Sequence, residues 1–348
     1  MKITSQEHKI YANIDRVSSL ILGGNPPPVT VDIDLTMACN LRCQGCTFPH
    51  RSPLSIETSK AIGILGQLSE FGVRSIVFTG GGEPMMHHGF LGVIQAASDL
   101  GLDLGINTNG TLLTANMAAG IVSITGVKWI RVSLNAGSRL SHEEVTGTKG
   151  HIFDHIIENM AMLASARNAA SSEVSLGAGV LLRDEIIEEI GMIPALVKST
   201  GFDYIHVKPF QVSRRDGVPM YRVIDVSAQI DEARRIEDEA FSINYDMRQY
   251  NTVSHRFSRC HGSALSTAIG ADLKVYPCCH SGIKYNGDLA FGDLSTSRFD
   301  EVWNSRKRSE IVNGIDLKRC LIGCRLSAYN EVLESMTSSA GCTHGSFI

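Results

Sequence analysis

Short apolar, β-branched runs recur along the chain with helical patterns between them. The runs are PVTVDIDL (28–35), VRSIVFTG (73–80), LDLGINTNG (102–110), VKWIRVSLN (127–135), VSLGAGVLL (174–182) and FDYIHVKPF (202–210). Their brevity and apolar character on both faces predict buried strands. The segments SIETSKAIGILGQLSEFG, HGFLGVIQAASDLG, HIFDHIIENMAMLASAR and EIIEEIGMIPALVKSTG place apolar residues three and four apart, and several end in Gly. That spacing predicts amphipathic helices with C-terminal stops. Strands alternating with helices pair in parallel through right-handed crossovers, so the expected fold class is α/β, a partial (β/α)6 TIM-like barrel. In such a barrel the chemistry gathers at the C-terminal strand ends, where CNLRCQGC, TGGGEP, NTNG, SLNAG and KPFQ fall.

The rhythm stops near Val212. The charged stretch IDVSAQIDEARRIEDEAF predicts a helical connector, and GADLKVYP and NGDLAFGDL beyond it read as short hairpins. The resulting division is an N-terminal extension (1–28), a barrel (29–211), a connector (212–258) and a cysteine-rich C-terminal module (259–348).

Composition narrows the function. At 348 residues, 43% hydrophobic and 20% charged, the chain can bury one large core or a core with a satellite. The N-terminal MKITSQEHKIYANIDRV lacks a signal peptide's apolar core, and no segment approaches about 18 consecutive apolar residues, so a cytoplasmic protein is expected. A formal net charge of −4 gives no global pull toward nucleic acid or a membrane surface. In a reducing compartment, nine cysteines point to metal or redox chemistry rather than disulfides.

Three of the nine, Cys39, Cys43 and Cys46, lie in MACNLRCQGCTFPH. This C-x3-C-x2-C run suits a metal centre that keeps one position exchangeable. Zinc would recruit His50 to complete a Cys3His set. An iron–sulfur cluster held by three thiolates would leave one iron open.

CNLRCQGC after the first strand, followed by TGGGEP after the second, resembles the radical S-adenosylmethionine (SAM) superfamily. The resemblance covers about residues 29–210. It implies that Cys39, Cys43 and Cys46 bind a 4Fe-4S cluster whose fourth iron takes the amino and carboxylate groups of SAM, with Gly81, Gly82 and Glu83 near the amino group. It further implies that Asn107, Ser133 and Asn135 contact the methionyl or ribose portions of SAM, that Leu181 and Leu182 flank adenine, and that Lys149 reaches the carboxylate. The implied chemistry is reductive cleavage of SAM to methionine and a 5′-deoxyadenosyl radical that takes a hydrogen atom from substrate, with an electron donor such as flavodoxin or ferredoxin. The chain departs from the family at Gly45, where an aromatic residue is usual; Phe48 is the expected substitute.

The second cysteine set resembles the SPASM or twitch extensions of the same superfamily, which carry auxiliary clusters. The resemblance implies one auxiliary 4Fe-4S cluster on Cys260, Cys278, Cys320 and Cys324. Cys279 and Cys342 are then surplus, and Cys342 in AGCTHG is a candidate hydrogen-atom donor. Lys208, Gln211 and Arg214, with Arg215, follow the sixth strand as candidate substrate contacts able to hold a carboxylate, phosphate or polyol. The expected substrate is a small polar metabolite, a sugar, aminocyclitol or nucleoside, undergoing dehydrogenation, epimerisation or decarboxylation, as in antibiotic biosynthesis. Only about 28 residues precede the first strand, which weighs against a peptide-recognition domain there. The alternatives are modification of a ribosomally made peptide and, outside catalysis, a zinc-bound interaction protein.

Overall fold

The computed structural model describes residues 8–48, 52–213, 219–247, 250–280 and 287–337. Two short helices, α1 (His8–Tyr11) and α2 (Ile14–Ile21), precede β1 (Thr30–Asp34). The strand–helix alternation then runs α3 (Thr58–Phe71), β2 (Ser75–Thr79), α4 (Phe90–Asp99), β3 (Asp103–Thr108), α5 (Ala115–Ser123) and β4 (Val127–Ser133). It continues with α6 (Arg139–Thr146), α7 (His151–Ala169), β5 (Ser175–Leu182), α8 (Ile193–Ser199) and β6 (Tyr204–Ser213). All six strands pair in parallel in chain order. Helix α3 shows how local sequence fixes the elements: the Glu57 carboxylate accepts from the Lys60 N–H at 3.0 Å, and Gly72 closes the helix at φ 96°.

Strand alternation separates two environments. Val31 and Ile33 on β1, Ile130 and Val132 on β4, and Ile205 and Val207 on β6 enter the apolar core against the helices. Their neighbours Asp32, Arg131, Ser133, His206 and Lys208 therefore face the concave side of the sheet. Burying the first set holds the barrel together, at about 1.5–3 kcal/mol for each large side chain; the second set is left for chemistry.

The connector differs from its expected helix. Only α9 (Ser227–Ala233) and a short turn, Arg234–Ile236, are helical, and the segment also supplies β7 (Pro219–Arg222) and β8 (Ser242–Tyr245). β7 pairs antiparallel and β8 parallel with β6. The carboxylates that make EDEAF look like a solvated helix are used on backbone instead. Asp238 accepts from the N–H groups of Ala240 and Phe241 at 2.9 and 2.8 Å, and Glu237 accepts from that of Ile243 at 2.6 Å.

The C-terminal module joins the same sheet. β9 (Ser266–Ile269) pairs in parallel with β1, and β10 (Lys274–Tyr276) and β11 (Gly292–Asp293) continue beyond it. Helix α10 (Phe299–Trp303) docks on α3, with the Phe71 and Phe299 rings edge to face at 5.7 Å. After α11 (Arg306–Asn313), α12 (Ser327–Thr337) packs Leu333 with Ile10 and Val17 of the N-terminal helices.

Candidate active site

Cys39, Cys43 and Cys46 occupy the loop after β1, all half-buried. Backbone contacts hold this loop against the end of α6: the Arg42 N–H donates to the Thr146 carbonyl at 3.1 Å, and that of Gln44 to Val145 at 2.8 Å. A turn closes from the Cys46 N–H to the Cys43 carbonyl at 3.2 Å. Gly45 sits in this turn at φ 63°, and a β-carbon there would lie 2.4 Å from the Phe210 ring. Phe210 of β6, rather than Phe48, therefore fills the space beside Gly45. Its ring lies 4.4 Å beneath the Arg183 guanidinium, which also donates to the Gln44 carbonyl at 2.6 Å.

The glycine-rich end of β2 is stitched to the same loop. Gly82 donates to the Thr36 carbonyl at 3.1 Å and Glu83 to that of Ala38 at 2.8 Å. A β-carbon at Gly82 would stand 2.1 Å from the Ala38 oxygen, so this close approach requires glycine. Gly81 is buried beside it. The buried Glu83 carboxylate accepts from the Thr108 hydroxyl at 2.7 Å and from the N–H groups of Asn109 and Met85 at 2.7 and 3.2 Å. Desolvation pushes its pKa up to about 7. Glu83 thus ties the end of β2 to the end of β3. Asn109 also reaches the cysteine loop, donating to the Asn40 side chain at 2.8 Å.

A cavity of about 160 Å³ opens on the concave face. Asn107 comes from β3, Arg131 and Ser133 from β4, Asn135 from the turn after it, Gly179 to Leu181 from β5, and His206 and Lys208 from β6. The fold thereby gathers five of the expected residues: Asn107, Ser133, Asn135, Leu181 and Lys208. Asn135 adopts φ 53° and accepts from the Leu181 N–H at 3.0 Å, which fixes the two strand ends together. Burial and the nearby Arg131 lower the Lys208 pKa to about 8. Burial, with Lys208 and Arg131, lowers His206 to about 2.

Sequence reasoning missed Arg131 and His206. Their signal was a single polar residue at the concave phase of an apolar strand. Lys149 is exposed before α7 and Leu182 lies in the core; neither lines the cavity. Gln211 follows on β6 outside the lining. Arg214, His50 and Cys342 lie outside the described residues.

Two aromatic rings share the concave face with Arg131 and His206, two positions earlier on their strands. Trp129 and Tyr204 rest on Gly105 and Gly177, where a β-carbon would come within 2.1 Å of either ring. Arg131 stacks at 5.1 Å from the Trp129 ring centroid and 5.8 Å from that of Tyr204.

The second thiol set is assembled from separate segments. Cys260 precedes the short helical turn before β9, Cys278 follows β10, and Cys320 and Cys324 flank the turn before α12. Burial raises the pKa of Cys278 well above the ordinary thiol value, raises that of Cys260, and pushes Cys320 up to about 12. Neighbouring thiols add to each shift, linking Cys260 with Cys324, Cys278 with Cys260 and Cys320, and Cys320 with Cys324. Burial thus favours the protonated form of Cys260, Cys278 and Cys320 until a cation displaces the protons, and with Cys324 they make a four-sulfur donor set that fits a cluster bound through thiolates. Asn330 and Ser327 direct donors at the sulfurs of Cys260 and Cys324, at 3.9 and 3.6 Å. Among the described residues no three His, Cys, Asp or Glu side chains draw to the spacing of a single ion. Arg325, beside Cys324, reaches into the barrel to pair with the buried Asp32 at 3.3 Å and donates to Ser266 at 2.9 Å.

Comparison with known proteins decides the family. The model of the radical SAM superfamily matches residues 33–193, and that of the SPASM iron–sulfur cluster-binding domain matches residues 260–325. The chain belongs to the radical SAM superfamily. This radical SAM enzyme carries a C-terminal SPASM-type domain and uses 4Fe-4S clusters and SAM. It is 23% identical over 301 residues to the PqqA peptide cyclase of Gluconobacter oxydans, covering 83% of this chain and 80% of that protein. It is 26% identical over 355 residues to the AdoMet-dependent heme synthase of Methanosarcina barkeri, covering 91% and 97%. The tungsten-containing aldehyde ferredoxin oxidoreductase cofactor-modifying protein of Pyrococcus furiosus is 25% identical over 293 residues, with 79% and 80% covered. Among solved structures, SuiB of Streptococcus suis bound to precursor peptide SuiA superposes with a TM-score of 0.67 at 15% identity, over 90% of this chain and 73% of that one. The anSMEcpe structure with bound AdoMet and Cp18Cys peptide gives 0.58 at 13% identity, over 88% of each chain. These likenesses show a shared fold. No helix among the described residues is long and apolar enough to cross a membrane.

Proposed function

We propose that this radical SAM enzyme modifies a peptide. What supports the reading is that peptide-acting proteins recur in both comparisons: the PqqA peptide cyclase aligns over 83% of this chain, and the peptide-bound SuiB and anSMEcpe structures superpose over 90% and 88% of it. In this reading Cys39, Cys43 and Cys46 hold the cluster that binds SAM, and Cys260, Cys278, Cys320 and Cys324 hold the auxiliary cluster. When bound, the first cluster supplies the electron that splits SAM into methionine and a 5′-deoxyadenosyl radical.

The chain's own residues bind, orient and exclude. Gly81 and Gly82 present backbone without side chains beside the cysteine loop, and Glu83 fixes that backbone from below. Asn107, Ser133, Asn135 and Leu181 line the cavity that receives the organic part of SAM. Trp129 and Tyr204 pack against Arg131 on the concave face, adding apolar surface to a lumen that a carbon radical needs kept from water. Phe210 and Arg183 hold the cysteine loop, while the Arg325–Asp32 pair fixes the auxiliary module over β1.

A small polar metabolite is the second reading, favoured by the polar walls of the 160 Å³ cavity. Anaerobic incubation of the reconstituted enzyme with SAM, dithionite and a short peptide encoded beside it separates the two. The peptide reading predicts 5′-deoxyadenosine and a peptide lighter by two hydrogens in mass spectrometry. An unchanged peptide, with deoxyadenosine formation stimulated instead by an aminocyclitol or nucleoside, would overturn it.

A further inference from the structure

Arg131, His206 and Lys208 converge on one cavity from two strands, and no acidic side chain lines it. The nearest use of charge is elsewhere: Asp32 is paired with Arg325, and Glu83 faces the end of β3. Arg131 has only a long contact to a neutral group, Nη2 to the Tyr204 hydroxyl at 3.5 Å, and its buried Nε has no hydrogen-bond partner among the described residues. Lys208 and His206 make no hydrogen bond or ion pair among the described residues. Burying the Arg131 and Lys208 cations without an opposite charge is costly, and a ligand that supplies the charge relieves that cost; His206, kept neutral by burial, offers a hydrogen bond instead.

The surroundings shape this charge for a planar anion. The Arg131 guanidinium lies over the rings of Trp129 and Tyr204, at 5.1 and 5.8 Å from their centroids. Gly179 leaves room beside the Arg131 stem, where a β-carbon would approach to 3.3 Å. A guanidinium fork and an ammonium lining one cavity match a carboxylate: two oxygens to the fork, with the remaining lone pairs toward Lys208.

We propose that Arg131, His206 and Lys208 form a carboxylate-recognition subsite, which seats an Asp or Glu side chain of the substrate peptide in the barrel. This rests on the peptide reading for the source of the carboxylate. The binding chemistry itself stands on the cavity. The shared alternative source is the carboxylate of SAM.

Competitive acylation of Lys208 tests it on the cluster-reconstituted enzyme. A limiting amount of acetic anhydride is added with and without SAM, and acetylation of Lys208 is read by peptide mass spectrometry against the exposed Lys307. The probe is N-acetyl-glutamate methylamide, with N-acetyl-glutamine methylamide as its neutral isostere. In SAM-loaded enzyme the glutamate probe, at about nine times its Kd, should slow Lys208 acetylation about tenfold, because protection follows occupancy. The glutamine probe and Lys307 should show no change. Arg131→Gln should leave Lys208 reactive while abolishing protection by the glutamate probe.

Equal protection by both probes would overturn the inference, as would protection by inorganic phosphate but not by the glutamate probe. Complete protection by SAM alone would assign the groups to the SAM carboxylate and also overturn it. A Lys208 that is unreactive without any ligand would contradict an open lumen amine. Failure here with a modified peptide in the activity assay removes only this subsite. Protection here with an unmodified peptide removes the peptide reading and leaves a small carboxylic acid as ligand.

Discussion

The two thiol sets of this chain reach similar chemistry by opposite routes. Cys39, Cys43 and Cys46 come from one loop, half-buried, with the backbone around them pinned by α6, Gly82 and Phe210. Cys260, Cys278, Cys320 and Cys324 come from three segments and meet only because β9 pairs with β1 and α12 packs against the N-terminal helices. The first set is therefore a site laid on a finished scaffold, and the second is part of the scaffold. Losing a ligand should cost activity at the first and folding at the second.

Cys43→Ala gives the largest expected effect on chemistry. 5′-Deoxyadenosine should become undetectable by chromatography, while the melting temperature stays near that of the parent. Cys278→Ala should do the reverse in kind: iron is lost from the auxiliary site, and the C-terminal region melts first, as read by hydrogen exchange along β9 and β10. Equal thermal damage from both substitutions would erase the distinction.

Gly82→Ala sharpens the first half of the comparison. A β-carbon 2.1 Å from the Ala38 oxygen must push the loop that carries Cys39. A displacement of about 1 Å at a reacting site costs about a hundredfold in rate, so cleavage of SAM should fall by that order with the circular dichroism spectrum unchanged. Gly45→Ala is smaller. Its left-handed backbone costs about 1–2 kcal/mol for any residue with a β-carbon, and the Phe210 ring adds a clash. In urea unfolding, Gly45→Ala with Phe210→Leu should recover the clash portion alone.

The smallest effect is a pH slope. Glu83 in the unfolded chain titrates near 4.5, whereas burial holds it protonated in the fold until about pH 7. Below pH 4.5 both states bind the proton; between these values only the folded state does. Stability from this group is thus complete at low pH, falls as pH rises from 4.5 to about 7, and is level above. Glu83→Gln should flatten that segment of the urea-midpoint profile.

What could be read from the chain follows the same division. The six barrel strands and the first thiol loop were legible because their signals are local: apolar runs, cysteines three and four positions apart, glycines at a strand end. The auxiliary set was nameable only by resemblance, since nothing near Cys260 shows that Ser266–Ile269 will pair with a strand more than two hundred residues away. The connector misled because Glu237 and Asp238 read as solvated helix charge but accept backbone N–H groups instead. Arg131 and His206 were overlooked because a lone polar residue in an apolar strand gains meaning only when β4 and β6 curve to face one cavity. The small-metabolite expectation drew on polar residues after the sixth strand and on resemblance to small twitch-type enzymes, with the short stretch before β1 weighing only modestly against a peptide. Peptide-acting proteins instead recur among the relatives and neighbours.

Iron and acid-labile sulfide counting after anaerobic reconstitution, on the same sample that is then given dithionite and SAM, tests the two-site account most directly. It predicts about eight irons per chain, the sum for two four-iron clusters, together with 5′-deoxyadenosine. About four irons with cleavage intact, and zinc in the remaining thiols, would contradict the second cluster and leave the C-terminal set a structural metal site.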